Sequence, residues 1–235
     1  SVFKLNGMFA FVIWDSVARV AFAARDPYGI KPLYIGLMRN GLVLSSQVKA
    51  ILATKQVSRD YNELGELGFW FLGSVPEPFT LYKSISSLEA GSAIFIQDQT
   101  VTKKWLWCDI GDCWRVDSKE FKDNSRSVQE HVRNSIVESV DRHMVSDVPV
   151  GVFLSGGIDS SAVAGLMKER GASDLIGVTL SYAEFRGRHE DETPVAAKVA
   201  KYYGIKHVVR TVDRKEFEDD LPNILDAMDQ PSVDG

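Results

Sequence analysis

The stretch "VGVFLSGGIDSSAV", Val150–Val163, decides how the second half of the chain folds. A short apolar run meets two glycines, three serines and one acid, and a run of small apolar residues follows. "VPVGVFL" (148–154) reads as a buried strand, "SGGIDS" (155–160) as the turn at its carboxyl end, and "SAVAGLMKE" (161–169) as a helix. Strand, tight turn and helix in that order predict the first half of a βαβ unit.

The same rhythm continues downstream. Strands are expected at about 175–182 and 207–212, and helices at about 160–169, 192–203 and 214–228. Gly171 and Gly204 stand where a helix end favours a residue tolerant of positive φ. Pro222 is expected to kink or split the last helix. Alternation of this kind predicts a parallel sheet built from right-handed βαβ units. Upstream, Ser127 and Glu130 suit a capping box, and Val128, Val132, Ile136, Val140 and Met144 repeat every four residues as one helical stripe. Before that helix, "DIGDCWRVDSKEFKDNS" is polar and aperiodic, as a linker is.

The first hundred residues read as β structure. "GMFAFVIWD" (7–15) is apolar on both alternating faces and is expected to be covered on both, with "RVAFAA" (19–24) as its partner. Asn40-Gly41 between apolar runs predicts a hairpin within 32–46. "QVKAIL" (47–52) and "YNELGELGFWFL" (61–72) look helical, the second weakened by Gly65 and Gly68. "GSAIFIQDQTVTKKWLW" (91–107) returns to strand. An antiparallel sheet packed on another layer fits these signals.

The turn at 155–160 is where chemistry is expected. Open α/β sheets bind ligands at the carboxyl ends of their strands. The helix that follows offers unpaired N–H groups and about half a positive charge at its N-terminus. Gly156 and Gly157 let backbone N–H groups approach an anion, and Ser155, Ser160 and Ser161 add hydroxyls. The natural guest is a phosphate. Asp159 repels one, unless a divalent cation sits between them, and Mg²⁺ takes one or two carboxylates plus phosphate oxygens. The GxxxxGK[ST] spacing and its lysine are absent, so this is not a Walker loop. The same residues also suit a plain glycine-rich turn capped by Asp159 or Ser160.

Composition narrows the partners. At 235 residues, 45% hydrophobic and 25% charged, the balance is that of an ordinary globular protein. A formal net charge of −5 gives no basic footprint for nucleic acid. No run of about 18 apolar residues occurs, so no membrane span is expected. Cys108 and Cys113 are too few for a disulfide framework, and two thiolates without nearby histidines do not close a tetrahedral metal site. With no secretory signal read at the start, a cytoplasmic location is expected. Both ends look cut: Ser1 is no initiator, and "DQPSVDG" stops on turn chemistry, so the chain is expected to be a fragment.

"SDVPVGVFLSGGIDSSAVAGLM" (146–167) resembles the PP-loop of ATP pyrophosphatases, and specifically that of glutamine-hydrolysing asparagine synthetases. "LNGMFAFVIWD" (5–15), "ARDPYGIKPLYIG" (24–36), "SSQVKAIL" (45–52) and "GSVPEPFTLYKSISSLEAGS" (73–92) resemble the later part of a class II glutamine amidotransferase domain, which precedes the synthetase domain in that family. The resemblance implies α+β followed by α/β: the C-terminal part of an Ntn-type αββα sandwich over 1–112, a linker over 113–124, and over 125–235 the N-terminal part of a parallel sheet of adenine-nucleotide α-hydrolase type. It implies that ATP adenylates a carboxylate, aspartate being the family's own, that pyrophosphate leaves, and that glutamine-derived ammonia completes the amide. Ser155, Gly156, Gly157, Asp159, Ser160 and Ser161 would then grip the pyrophosphate part of ATP, Asp159 would reach Mg²⁺, and Phe153 and Leu180 would lie on the adenosine side. The partners implied are small molecules, with a homodimer compatible with the family.

The resemblance also marks gaps. The family's glutaminase nucleophile is an N-terminal cysteine, which neither Cys108 nor Cys113 matches, and its second acidic ATP-site loop has no counterpart after residue 213. The chain alone is therefore expected not to hydrolyse glutamine. An acidic residue is usual where Gln47 stands, and a glutamate where Gln230 stands. A relative acting on or cyclising another carboxylate, or a docking module on the same fold, stays open on these residues. Elsewhere, Arg25 and Asp26 in "RDPYGIKPLY" read as a buried pair fixing a turn, and His131 and His143 as surface or boundary residues. The charged loop 184–192, with His189 in it, is either a solvated loop or a flap over a nucleotide, and Glu192 suits the start of the next helix.

Overall fold

The computed structural model describes residues 2–113 and 125–233. These fall into two compact units, 2–113 with 223–233, and 125–222. Together they form a mixed α/β protein with antiparallel sheets in the first and a parallel sheet in the second. The expected linker, 113–124, lies outside the described residues apart from the backbone of Cys113.

The first unit is built from two antiparallel sheets. β1 (Ala10–Asp15), β2 (Val20–Arg25), β6 (Ser92–Gln97) and β7 (Thr100–Leu106) form one, in the order β1-β2-β6-β7. β3 (Tyr34–Met38), β4 (Gly41–Ser45) and β5 (Ile85–Ser87) form the other, in the order β4-β3-β5. The Asn40-Gly41 signal is met: Met38 pairs with Gly41 across the hairpin, whose turn is Arg39-Asn40. The stretch 91–107 is two strands rather than one. Asp98 and Gln99, both at positive φ, turn the chain between Gln97 and Thr100.

Between the sheets lie Ala21, Ala23, Leu33, Leu88, Ile94 and Ile96. The outer face of the larger sheet carries Phe11, Phe22, Phe95 and Trp105 in contact. The expectation that β1 is covered on both faces fails: Val12, Ile13 and Trp14 are exposed. β1 is an edge strand of its sheet among the described residues.

α1 (Val48–Ala53) and α2 (Glu63–Leu72) complete this unit, with α3 (Ile110–Cys113) as a single turn. The glycines that weaken α2 on propensity are required by packing, since a Cβ at Gly65 would run into the Thr80 carbonyl. The segment after Ala227 belongs here too. Asp229 accepts from the Val48 and Lys49 N–H groups at 2.6 and 2.9 Å, capping α1, whose own N-cap residue Gln47 makes no side-chain cap bond. Gln230 Oε1 accepts from the Leu81 N–H at 3.1 Å, and Gln230 also hydrogen-bonds the hydroxyl of the half-buried Tyr34, whose pKa burial pushes up.

Arg25 and Asp26 are buried, but they do not pair with each other. Arg25 donates to the carbonyls of Lys31, Leu88 and Gly29 at 2.8, 2.6 and 2.6 Å and meets Glu77 at 2.7 Å. The Asp26 carboxylate accepts from the N–H groups of Phe9, Tyr28, Ile30 and Lys31 at 3.0–3.3 Å. Burial pushes its pKa up, but the four N–H donors overcome that and hold it below the usual carboxylate value. This confirms an architectural role for the segment.

In the second unit, α4 (Ser125–His143) leads into β8 (Gly151–Phe153), α5 (Ile158–Glu169), β9 (Ile176–Tyr182), α6 (Thr193–Tyr203), β10 (Lys206–Val212) and α7 (Arg214–Ala227). The sheet is parallel, ordered β10-β9-β8, with Phe153 beside Val178 and Leu180 beside Arg210. Gly204 ends α6 in the left-handed conformation, and Gly171 has φ +94 just past α5. Pro222 does not split the last helix: α7 runs from Arg214 to Ala227 with the proline inside it. One expectation needs correction: 148–154 is not a buried strand, since β8 spans three residues and only Leu154 is buried, because one face of the sheet alone is covered.

The covered face joins Leu154, Ala164, Met167, Leu175, Ala196, Ala200 and Ile205 to Val140 of α4 in one core. The α4 stripe is buried only at this end. Val128, Val132 and Ile136 are half-exposed and line an open groove with Ala162, Leu166 and Tyr203. α4 starts at Ser125, ahead of the expected cap, and the Ser127 side chain lies outside the described residues.

Candidate functional site

The parallel register brings the carboxyl ends of β8, β9 and β10 side by side. After Phe153, the Leu154 N–H adds one more ladder bond, to the Val178 carbonyl at 2.8 Å. The chain then leaves the sheet through Ser155-Gly156-Gly157 and enters α5 at Ile158.

Hydroxyls tie the turn together. Ser155 Oγ and Ser160 Oγ are 2.8 Å apart, and Ser155 Oγ accepts from the Gly157 N–H at 3.1 Å. Ser160 Oγ accepts from the Ser155 N–H at 3.3 Å, and Ser161 donates to the Gly157 carbonyl at 2.7 Å. Gly157 is the N-cap of α5, and no side chain supplies the cap bond. The reading of a turn capped by Asp159 is therefore overturned. Ser160 closes on the loop's interior, and Asp159 lies in the first helical turn, exposed, without a partner among the described residues.

The two glycines are not forced by backbone strain, because neither has positive φ. A Cβ on Gly156 would make only ordinary contact, 3.4 Å from Val195 Cβ and 3.7 Å from Glu192 Cβ. Fold alone does not demand glycine there, so the absent side chain leaves backbone open to solvent. The same measurement brings Glu192, at the start of α6, next to the turn. Sequence spacing could not reveal that proximity.

Phe153 and Leu180 share one face of the sheet, since Phe153 pairs with Val178 and Leu180 lies two residues on. They are 82% and 52% exposed and lie outside the core formed by the described residues. They form an apolar floor beside the turn, on the uncovered face.

The loop 184–192 is partly tied down. Asp191 accepts from the Gly187 and Thr193 N–H groups, both at 3.1 Å, which hold its carboxyl below the usual value, and Glu184 accepts from the Arg214 N–H at 2.8 Å. His189 is fully open to solvent beside Glu190. His143 is exposed, with Nδ1 2.7 Å from the Ser139 carbonyl, and His131 is also exposed.

Among the described residues, no group of three or more His, Cys, Asp or Glu side chains is arranged to hold a metal. Asp159 contributes one carboxylate, which fits a Mg²⁺ that shares its remaining ligands with phosphate oxygens and water and does not fit a metal held by protein alone. Among the described residues no helix is long and apolar enough to cross a membrane.

Comparison with known proteins agrees with the order of the two units. A glutamine amidotransferase domain model matches residues 1–107, and an asparagine synthase model matches 131–235. Asparagine synthetase [glutamine-hydrolyzing] 1 of Bacillus subtilis is 34% identical over 98% of this chain and 35% of its own length. A putative asparagine synthetase [glutamine-hydrolyzing] 2 of Methanocaldococcus jannaschii is 33% identical over 98% of this chain and 44% of its own. The chain thus spans less than half the length of these relatives. A solved glutamine phosphoribosylpyrophosphate amidotransferase from B. subtilis covers 99% of this chain and 40% of its own at 14% identity, with a TM-score of 0.31, too low to carry an argument. Two tandem matches, and relatives aligned across nearly the whole chain, show that it belongs to the glutamine-hydrolysing asparagine synthetase family.

Proposed function

We propose that the chain is part of an ATP-dependent amide ligase that takes its ammonia from glutamine. Residues 1–112 are read as the C-terminal part of an Ntn-type amidotransferase domain, and 125–235 as the start of a PP-loop synthetase domain. The carboxylate oxygen of the acceptor, aspartate on the family's pattern, attacks the α-phosphorus of ATP, and pyrophosphate leaves. Ammonia then attacks the acyl carbon, and AMP leaves. Catalysis of such a transfer is mostly positioning and charge neutralisation.

The observation that supports this most is Asp159, an exposed acid with no structural partner among the described residues, in the first turn of a helix whose N-terminus opens on Gly156-Gly157. On this reading the N–H groups of the turn and the hydroxyls of Ser155, Ser160 and Ser161 hold the pyrophosphate part of ATP. Asp159 would be the residue that holds Mg²⁺, and the ion, when bound, would supply positive charge to offset that of the phosphates. Phe153 and Leu180 give the adenosine an apolar surface.

The test is ATP–pyrophosphate exchange by the full-length protein, with aspartate and then a panel of other carboxylic acids. Exchange that depends on aspartate supports the reading. Exchange with a different acid keeps the ligase and replaces the acceptor. No exchange with any acid, together with no nucleotide binding, overturns the ligase and favours a docking module.

A further inference from the structure

We infer that Thr179 and His207 are positioning residues for the phosphate-binding turn, acting through the peptide that joins Leu154 to Ser155; this rests on the ATP-site reading above. Thr179 lies on β9 and is 3% exposed. Its hydroxyl is 2.5 Å from the Leu154 carbonyl and 2.7 Å from His207 Nε2, which comes from β10. A carbonyl can only accept, so the one hydroxyl proton goes to Leu154. Thr179 Oγ1 must then accept from His207, whose Nε2 carries a hydrogen. Donors therefore run in one direction, from β10 through β9 to Leu154, the residue that follows β8 and precedes the turn.

The effect on the turn follows from peptide planarity. The Leu154 carbonyl and the Ser155 N–H belong to one rigid plane and point opposite ways. Fixing the carbonyl towards Thr179 fixes the Ser155 N–H towards Ser160 Oγ, where it is found at 3.3 Å. Ser160 is in turn 2.8 Å from Ser155 Oγ, which accepts from the Gly157 N–H. The direction of the turn's first N–H, and the network that shapes the rest, is set by a hydroxyl on a neighbouring strand that has no direct contact with Ser160. Nothing in the spacing of "SGGIDSS" points to Thr179 or His207. Thr179 sits one residue before Leu180 in a run that reads simply as strand.

The test uses the full-length protein and four variants. Thr179→Val keeps the shape and removes the hydroxyl; Thr179→Ser keeps the hydroxyl. His207→Gln keeps an N–H donor; His207→Leu removes it. MgATP affinity is measured by titration, KM for ATP and kcat by pyrophosphate exchange, and folding by thermal melting. Thr179→Val is expected to weaken MgATP about tenfold, as loss of one buried hydrogen bond does, with Thr179→Ser near wild type. A purely structural role would lower the melting temperature and the active fraction, and hence kcat, while leaving KM for ATP unmoved; that result overturns the inference. If Thr179→Val does not fold, the His207 pair decides: weaker MgATP binding in His207→Leu than in His207→Gln supports the relay, and equal binding overturns it. A wild-type protein that binds no ATP overturns the functional reading and this inference together, whereas wild-type binding that Thr179→Val leaves unchanged overturns the positioning role alone.

Discussion

Asp26 and Asp159 are the same residue in comparable places: Asp26 directly follows β2 and leads into a turn with Gly29, and Asp159 follows β8 and the turn with Gly156 and Gly157, in the first turn of α5. Their surroundings are opposite. Asp26 is 1% exposed and its carboxylate takes four backbone N–H groups. Asp159 is exposed and takes none among the described residues. The first acid is used up by the fold, so its chemistry is not available to a ligand. The second contributes nothing visible to the fold, so a reason for it has to be sought outside the chain. Hydrogen-bond satisfaction separates a structural carboxylate from one left open to a ligand where residue type and turn composition do not.

The contrast is sharpest under substitution. Asp26→Ala is expected to cost about 3–5 kcal/mol in urea-induced unfolding, since it leaves several buried N–H groups without acceptors. Asp159→Ala is expected to change stability by less than about 0.5 kcal/mol, as exposed positions do, while lowering pyrophosphate exchange about 10²–10³-fold, the scale of one electrostatic contact to a transition state. If Asp159→Ala proves as destabilising as Asp26→Ala, the distinction collapses.

Acid gives a third comparison. The folded protein holds the Asp26 carboxyl below its usual value, so in the window between the two values the unfolded chain binds more protons. The stability Asp26 contributes is whole above the ordinary carboxylate range and is lost as pH falls through the lowered value. Wild-type stability is therefore expected to fall with acid more steeply than that of Asp26→Asn. Parallel curves for wild type and Asp26→Asn would contradict this. The smallest effect is expected at a helix cap: Asp229→Ala removes the acceptor at the start of α1 and is expected to cost about 1 kcal/mol, read by denaturant midpoint.

Much of the second unit was legible from the sequence because its signals are local. Apolar periodicity and helix-ending glycines put the strands and helices after β8 within one or two residues of their final bounds, as with 175–182 against Ile176–Tyr182 and 192–203 against Thr193–Tyr203. The hairpin signalled by Asn40-Gly41 was legible for the same reason, although its turn is Arg39-Asn40. What escaped depends on residues far apart in the chain. Asp229 caps a helix that begins 181 positions earlier, and α2 keeps Gly65 because Thr80 passes close by. The exposure of Phe153 and of β1 depends on which faces other elements cover, which periodicity does not report. At the turn, the sequence showed which residues assemble; Glu192 beside Gly156, and Thr179 and His207 behind Leu154, emerge only once three strands lie in register.

The most direct test titrates ATP into wild-type and Asp159→Asn full-length protein, with Mg²⁺ and with EDTA. If Asp159 holds a cation shared with the phosphates, wild-type affinity rises on adding Mg²⁺ and the variant loses most of that gain, about tenfold or more, with its melting temperature unchanged. Equal Mg²⁺-dependent affinity in both proteins would contradict the proposal that this acid is the cation ligand of the site.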